Sequence, residues 1–203
     1  MSSERANDLP DAAPGGGTWV LVVGPSGAGK DTVIDLARQA LASDERVQFA
    51  RRIVTREPNR FEDHDSVTPA EFARLETDGK LVMSWTAHGL SYGIHECWHD
   101  AVTDGAIVVC NVSRTIIAEA MRRLPKIRVV LVTAPPDVLA QRIASRGRDI
   151  DKTGRLQRCV DIDFHRFADL VVNNTSAPAQ GAAPLIALLQ ELAAPSAASS
   201  VVN

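Results

Sequence analysis

A glycine-rich turn between a buried strand and a helix constrains this chain of 203 residues more than any other sequence feature. The turn and the residues that follow it are Gly24, Pro25, Ser26, Gly27, Ala28, Gly29, Lys30, Asp31 and Thr32. An apolar run at 19–23 precedes the turn, and apolar residues at helical spacing continue to about Leu41. Glycines let main-chain N–H groups point at one anion, the helix start favours negative charge, and Lys30 adds a positive charge. This order and spacing predict a phosphate-binding loop.

The residue after the lysine departs from the usual form of such loops. Serine or threonine normally stands there and contacts Mg²⁺ through its hydroxyl, whereas this chain has Asp31 followed by Thr32. Three interpretations follow. Thr32 supplies the hydroxyl from a shifted position, the Asp31 carboxylate contacts the metal directly or through water, or Asp31 only favours the helix N-terminus by its charge. Both residues are therefore candidate magnesium ligands.

The overall composition favours a small-molecule enzyme over a nucleic-acid or membrane protein. The net charge is −3, so no basic field points to nucleic acid, although 18 arginines stand against 4 lysines. Guanidinium groups suit bidentate contacts to phosphate. The three cysteines show no paired spacing, and no apolar run reaches membrane-spanning length. We expect a cytoplasmic protein without a membrane or nucleic-acid partner, either a monomer or a homodimer.

Alternation of strands and helices predicts one α/β domain at 18–194, between a polar tail at 1–17 and a second tail at 195–203. Continuous apolar strands are predicted at 19–23, 106–110, 127–132 and 170–172, with a further strand region at 47–54. Helices are predicted after the loop and at 113–124, 136–146 and 183–192. Such strands indicate a central parallel sheet covered by helices on both faces, a three-layer architecture.

The alternation is interrupted at about 55–104, which we interpret as an inserted subdomain. Thr68, Pro69 and Glu71 form the pattern of a capping box that starts a helix. Two short strands joined by a turn are predicted at 81–85 and 89–93.

Arginines beyond the loop are the main candidates for catalysis. Arg142 and Arg146 lie four residues apart, on one helix face, and Arg148, Arg155 and Arg158 follow in a polar segment. Beside a phosphate-binding loop we interpret 146–160 as a lid, in which Arg146 and Arg148, with Arg142 before them, neutralise a moving phosphoryl group. The alternative is a solvated helix face whose arginines pair with nearby aspartates.

Four residues are candidates for binding an acceptor. Thr55 and Arg56 end a strand whose carboxyl edge should lie near the loop, where open α/β sheets bind ligands. Arg56 is a candidate clamp on a second anion, with pairing to Glu57 as the alternative. Tyr92 and Arg114 are weaker candidates for the same pocket.

The run from His95 to His99 matches the metalloprotease zinc pattern literally. Two histidines four apart on a helix would face the same way. However, the run follows the end of a predicted strand, no third ligand stands out downstream, and short motifs occur by chance. We therefore do not expect zinc catalysis.

Several blocks together resemble the guanylate-kinase-like P-loop kinases over about residues 18–194. The blocks are 23–32, Thr55-Arg56, Tyr92-Gly93, the 135–147 run and 170–174. Within that group, the chain is most similar to the kinases that phosphorylate ribose 1,5-bisphosphate. This similarity is carried by residues 29–32, by the block 84–93 and by Asn111 with Ser113-Arg114. The resemblance implies a three-layer P-loop kinase with an acceptor-binding insert and an arginine-bearing lid. It also implies ATP and Mg²⁺ as cofactors, a phosphorylated sugar as substrate, and 5-phospho-α-D-ribose 1-diphosphate as product in phosphonate breakdown.

The sequence departs from guanylate kinase at the places that read GMP. In that family a tyrosine of the insert helps to hold the GMP phosphate, whereas the corresponding place in this chain is around Asp65, Ser66 and Val67. Its third strand ends in acidic residues, one of which helps read guanine, whereas this chain ends in Cys110 and Asn111. We therefore expect a sugar bisphosphate as acceptor. The alternatives are a nucleoside monophosphate kinase, guanylate kinase first, and a non-catalytic guanylate-kinase-like binding module.

Overall fold

The computed structural model describes residues 16–57, 64–145, 166–175 and 177–194. These residues form nine β-strands: β1 (Thr18–Val23), β2 (Val47–Phe49), β3 (Arg52–Val54), β4 (His64–Ser66), β5 (Leu81–Ala87), β6 (Leu90–His95), β7 (Ile107–Asn111), β8 (Ile127–Thr133) and β9 (Leu170–Asn173). They also form six α-helices: α1 (Lys30–Ala40), α2 (Pro69–Thr77), α3 (Cys97–Thr103), α4 (Ile117–Arg123), α5 (Pro136–Ser145) and α6 (Pro178–Ala193). A 3₁₀-helix at Arg114–Ile116 leads into α4.

The main sheet contains five parallel strands in the order β2-β7-β1-β8-β9. Its middle strand, β1, is buried on both faces, and its side chains alternate between them. Val20 and Val22 pack with α1 and α6, whereas Leu21 and Val23 pack with α3 and α4 on the other side. Alternation of side chains along the strand thus divides one apolar run between two cores. The predicted three-layer α/β fold is confirmed.

The helices beside the loop are anchored by fully buried side chains. Val33 and Ala37 of α1 meet Leu185 and Leu189 of α6, and the exposed fraction of each is 0%. Burial of one leucine or valine side chain stabilises a fold by roughly 1.5–3 kcal/mol relative to leaving it exposed. The loop therefore leads from a buried strand into a helix that is itself held in the core.

A second, four-stranded sheet has the order β4-β3-β6-β5. β3 runs parallel to β4 and antiparallel to β6, and β5 and β6 form a hairpin. Met83 and Ile94 of this hairpin join the core beneath α3 and α4. The predicted hairpin is confirmed, and so is the capping box: Thr68 Oγ1 accepts from the Glu71 N–H at 3.2 Å, and Glu71 Oε2 accepts from the Thr68 N–H at 2.7 Å.

The predicted strand region at 47–54 is two strands in different sheets. β2 pairs with β7 in the main sheet, and β3 pairs with β4 and β6 in the second sheet. The second sheet thus begins at Arg52, before the boundary of about 55 expected for the insert. Both strands have buried apolar side chains, Val47 in β2 and Ile53 and Val54 in β3. Their composition therefore does not indicate that they belong to different sheets.

Three other predicted boundaries differ from the structure. The last helix begins at Pro178 rather than at 183, because a proline is tolerated in a first helical turn and Pro184 lies within the helix. The predicted helix at 113–124 is a 3₁₀ turn followed by α4. Gly17, assigned to the tail, donates its N–H to the Val102 carbonyl at 2.8 Å. The lid at 146–160 and most of both tails lie outside the described residues.

Candidate active site

The carboxyl ends of four parallel strands meet at one edge of the main sheet. β1 ends at Val23 and leads into the glycine-rich loop, β7 ends at Asn111, β8 at Thr133 and β9 at Asn173. This edge is where open α/β sheets bind ligands. The structure therefore brings together, from separate parts of the chain, the loop after β1 and the polar residues at the ends of β7, β8 and β9.

The loop has the backbone geometry of an anion cradle. Gly29 has φ +86°, in the left-handed region that a residue with a side chain rarely adopts. A β-carbon there would overlap the Asn174 amide nitrogen. α1 begins at Lys30 without a side-chain cap, and the first N–H groups of a helix have no partner within it. These donors, with the positive end of the helix dipole, fit a phosphate group.

The Lys30 side chain folds back over the loop. Its Nζ donates to the carbonyl oxygens of Gly24 at 2.9 Å and Pro25 at 3.1 Å. Because a lysine carries its charge on a flexible stem, the same ammonium group can turn to a ligand held by the loop.

A buried asparagine supports the loop from below. Asn174 follows β9, and its Nδ2 donates to the Ala28 carbonyl at 2.8 Å. Its main-chain N–H donates to the Thr133 carbonyl at 2.8 Å, which fixes it at the sheet edge. On its other side, a β-carbon at Gly181 of α6 would overlap Asn174 Oδ1. Sequence reasoning used Asn174 only as part of a resemblance; the available signal was a polar residue directly after an apolar strand.

Helix α5 lies directly against the loop. Its Leu139 carbonyl and Ile143 side chain border Gly27, and a β-carbon at Gly29 would lie 4.0 Å from an Arg142 guanidinium nitrogen. Arg142 is thus beside the cradle, as a phosphate-neutralising role requires. Arg146 and Arg148 lie outside the described residues.

Asp31 contacts protein groups from two other elements. Its Oδ1 accepts from Asn111 Nδ2 at 2.7 Å and lies 3.5 Å from a guanidinium nitrogen of Arg52. Thr32 is exposed on the same first turn. Both oxygen groups adjoin the cradle, and their chemistry is of the kind that Mg²⁺ prefers. The contact of Asp31 with Asn111 and Arg52 was not predicted from the sequence.

The second sheet carries an aromatic pair beside the same junction. The Trp85 and Tyr92 rings are stacked, with centroids 5.5 Å apart and an angle of 6° between their planes. The Arg52 guanidinium carbon lies 6.0 Å from the Tyr92 ring centroid. Tyr92 and Arg52 therefore lie side by side. Asp31, just after the loop, contacts the same Arg52 guanidinium.

The other acceptor candidates are placed around this region. Thr55 follows β3, and its Oγ1 accepts from the Ser91 N–H at 2.9 Å, which ties the end of β3 to β6. Arg56 comes next and is half-buried. Arg114 begins the 3₁₀ turn after β7, where the Ser113 side chain accepts from the Thr115 N–H. Thr55 and Tyr92 are thus joined through β6, and Arg114 follows the strand that ends at Asn111.

The zinc-like run does not have the geometry that its pattern implies. His95 ends β6, Glu96 lies in a turn, and His99 lies in α3, so the histidines are not one turn apart on one helix. Glu96 Oε1 lies 2.6 Å from Lys80 Nζ, and this ion pair lowers the pKa of Glu96. Within the described ranges, no cluster of three or more potential metal-binding side chains is found. In the same ranges, none of the helices combines the length and the apolarity needed to cross a bilayer.

The five-stranded parallel sheet and the glycine-rich loop after β1 define an α/β protein with the guanylate kinase fold. The crystal structure of guanylate kinase from Anaplasma phagocytophilum superimposes with a TM-score of 0.70, covering 90% of this chain and 89% of that chain at 15% identity. At that identity the likeness establishes the fold alone. No protein-family model matches the sequence.

Curated relatives identify the family within this class. The ribose 1,5-bisphosphate phosphokinase PhnN of Methylobacterium radiotolerans is 48% identical over 176 residues, covering 86% of this chain and 98% of the relative. The protein of the same name from Rhodopseudomonas palustris is 43% identical over 176 residues, covering 87% of this chain and 90% of the relative. The chain belongs to the ribose 1,5-bisphosphate phosphokinase family.

Proposed function

We propose that this protein transfers the γ-phosphoryl group of ATP to the 1-phosphate of ribose 1,5-bisphosphate, producing 5-phospho-α-D-ribose 1-diphosphate in phosphonate breakdown. The observation that carries the proposal is 48% identity over nearly the full length of a relative that bears the name of this activity. The departure from guanylate kinase supports it, since the strand end that would carry a guanine-reading carboxylate carries Asn111. A cytoplasmic location, where ATP is available, goes with this reaction.

The reaction needs positioning and charge neutralisation rather than a general base. The acceptor oxygen belongs to a phosphate and is already anionic. It forms a bond to the γ-phosphorus as the bond to the ADP oxygen breaks, and ADP leaves. The protein's part is to hold two anionic substrates in line and to offset their repulsion.

The nucleotide phosphates would lie in the cradle 24–30. Main-chain N–H groups and the start of α1 bind them, and Lys30 turns from the Gly24 and Pro25 carbonyls to the outer phosphates. Arg142, beside Gly29, would neutralise the transferred group, with Arg146 and Arg148 from the segment after α5.

Magnesium fits the donor chemistry beside the cradle. Bound with ATP, Mg²⁺ neutralises phosphate charge and usually keeps several water ligands. Thr32 and Asp31 are the oxygen-bearing side chains of the first turn, and either would complete its shell. The Asp31 carboxylate already accepts from Asn111, which favours Thr32 for this role.

The acceptor would lie between the second sheet and the end of β7. Thr55 and Arg56 follow β3, Tyr92 stacks on Trp85 in the neighbouring strands, and Arg114 follows β7. A sugar with two phosphates needs cationic and hydroxyl partners, and these residues supply both.

An acceptor panel tests the proposal. The purified protein is given ATP and Mg²⁺ with ribose 1,5-bisphosphate, ribose 5-phosphate or GMP, and ADP release is measured together with the ³¹P spectrum of the product. We expect ADP release with ribose 1,5-bisphosphate and the signals of a diphosphate ester.

Two other results would overturn the proposal. Turnover of GMP in preference to the sugar would make the protein a nucleoside monophosphate kinase, as the guanylate kinase fold allows. ATP binding without turnover of any acceptor would make it a binding module.

A further inference from the structure

Three elements meet where the nucleotide loop adjoins the second sheet. Asp31 comes from α1, Asn111 from the end of β7, and Arg52 from β3. The Arg52 side chain is only 14% exposed, whereas that of Asp31 is 41% exposed. A largely buried guanidinium is therefore held at the boundary between the region that would bind ATP and the region that would bind the acceptor.

The direction of Arg52 follows from the register of β3. Val54, two residues on and therefore on the same face, pairs with Tyr92 of β6, and the Arg52 guanidinium lies over the Tyr92 ring. Arg51, the preceding residue, contacts Asp65 at 3.1 Å and is 49% exposed. Two adjacent arginines thus have different surroundings, and only Arg52 contacts both Asp31 and Tyr92.

The carboxylate of Asp31 has an electrostatic cost beside ATP. It stands one residue after the lysine that would meet the phosphates, so unpaired it would repel them. The side-chain amide of Asn111 and the Arg52 guanidinium offset that charge. A carboxylate at this position is explained if it orients Arg52. The hydroxyl of a serine or threonine would hold the guanidinium less strongly, because it carries no charge.

We propose that Arg52 binds an anionic phosphate group of the acceptor and that Asp31 is a positioning residue for Arg52 rather than a magnesium ligand. The inference rests on the proposed function, because it assigns a further acceptor-binding residue to the same reaction. Arg52 would act with Arg56, which follows the same strand, and the Tyr92 ring would limit the positions open to its guanidinium.

Replacement of Arg52 is the first test. Arg52→Met keeps an unbranched side chain over Tyr92 but removes the charge, and Arg52→Lys keeps a charge without the guanidinium. Arg51→Met, at the residue directly before β3, is the matched control. We expect Arg52→Met to raise the acceptor KM roughly ten- to hundredfold, with the ATP KM unchanged. Arg52→Lys should recover part of this loss, and Arg51→Met should change neither constant.

Replacement of Asp31 separates positioning from metal binding. We expect Asp31→Asn to raise the acceptor KM while leaving the Mg²⁺ concentration for half-maximal activity unchanged, and calorimetry should show weaker acceptor binding to the protein holding a non-hydrolysable ATP analogue. A raised Mg²⁺ requirement with an unchanged acceptor KM would make Asp31 a metal ligand and would overturn the inference.

The two proposals fail in different ways. In the first case the wild type phosphorylates ribose 1,5-bisphosphate, while Arg52→Met and Arg52→Lys are folded by circular dichroism and have the wild-type KM for this acceptor. Only the inference about Arg52 is then wrong. If the wild type phosphorylates GMP instead, the proposed function is wrong, and the same variants are compared on the KM for GMP. If Arg52→Met does not fold, Arg52→Lys decides: we expect its acceptor KM to exceed that of the wild type, since an ammonium group replaces the guanidinium fork only in part.

Discussion

The two sheets of this protein offer their ligands different kinds of groups. The main sheet ends in a loop whose proposed binding groups are main-chain N–H donors, set by glycines and by the start of α1. The second sheet offers side chains, above all Arg52 and Tyr92. Main-chain donors lie at fixed spacing along the sequence, whereas side-chain sites are assembled from distant residues. In the proposed function, recognition of a phosphate chain would therefore depend on residues that are close in the sequence, whereas recognition of the acceptor would depend on residues that are far apart.

The sheets also differ in how firmly they are held. β1 lies between two parallel strands, and residues 19–23 are all 0% exposed. β3 and β4 have three residues each, and β4 is an edge strand. A short, partly exposed strand tolerates substitution better than a buried central one. If the proposed sites are right, substitutions in the second sheet should affect mainly the acceptor KM, and substitutions in the loop should affect mainly the ATP KM.

The largest effect is expected at Lys30. Lys30→Ala removes the charge that would meet the outer phosphates, and loss of one preorganised group of this kind costs about a hundredfold or more in turnover. We expect kcat to fall by several powers of ten in a steady-state assay. Lys80→Ala, which removes an exposed lysine paired with Glu96, is the control and should keep full activity. Near-normal turnover of Lys30→Ala would contradict the proposal that the loop after β1 binds the phosphates of ATP during the reaction.

A smaller effect is expected at Asn174, in the support of the loop. Asn174→Leu leaves the buried Ala28 carbonyl without its donor, which costs roughly 1–3 kcal/mol. We expect a melting temperature several degrees lower and weaker ATP binding by calorimetry, with the acceptor KM little changed. Replacing the exposed neighbour, Asn173→Ala, should affect neither. An effect confined to the acceptor would contradict the assignment of Asn174 to the nucleotide loop.

A selective effect on the acceptor is expected at Tyr92. Tyr92→Leu removes a ring whose stacking on Trp85 contributes about 0.5–1.5 kcal/mol beyond its buried area. It also removes the surface under Arg52. We expect the acceptor KM to rise several-fold with an unchanged ATP KM. Tyr92→Phe keeps the ring and measures the hydroxyl alone. A parallel rise in both constants would mean that the sheets do not act separately.

The smallest effect is expected at Glu96, on the surface of the second sheet. Lys80 lowers the pKa of Glu96 in the folded protein, so the pair stabilises the fold above the unfolded-state pKa and loses this effect as pH falls through the lower folded pKa. Glu96→Gln should therefore flatten the acid limb of a pH–stability curve from denaturant unfolding. The change is small because the pair is exposed and screened by salt. Kinase activity should be unaffected; zinc-dependent peptide hydrolysis lost in this variant would revive the zinc interpretation.

The parts of the fold that depend on local pattern could be predicted from the sequence. The loop, its flanking strand and helix, the capping box of α2 and the β5–β6 hairpin each follow from short-range spacing. The partners of Asp31 could not be predicted, because Asn111 lies 80 residues away. The sequence supplied three interpretations of Asp31, and only tertiary structure shows what its carboxylate contacts.

Arg52 was missed for a different physical reason. Arg51 and Arg52 are adjacent and identical in type, and strand register alone decides which of them faces Tyr92. Thr55 and Arg56 were selected from the sequence as acceptor candidates instead, because they lie at the end of the predicted strand. Asn174 was likewise indistinguishable from its neighbour Asn173 in the sequence, yet one is buried beneath the loop and the other is exposed.

The close approach of Gly181 to Asn174 connects the last helix of the described chain to the glycine-rich loop. Gly181 leaves room for the Asn174 carboxamide, and any larger residue there would press on it. Because that carboxamide holds the Ala28 carbonyl, displacement at 181 would reshape the cradle from behind. A helix that carries no candidate ligand would thereby limit the space open to the phosphates of ATP, and a larger residue at position 181 should weaken nucleotide binding.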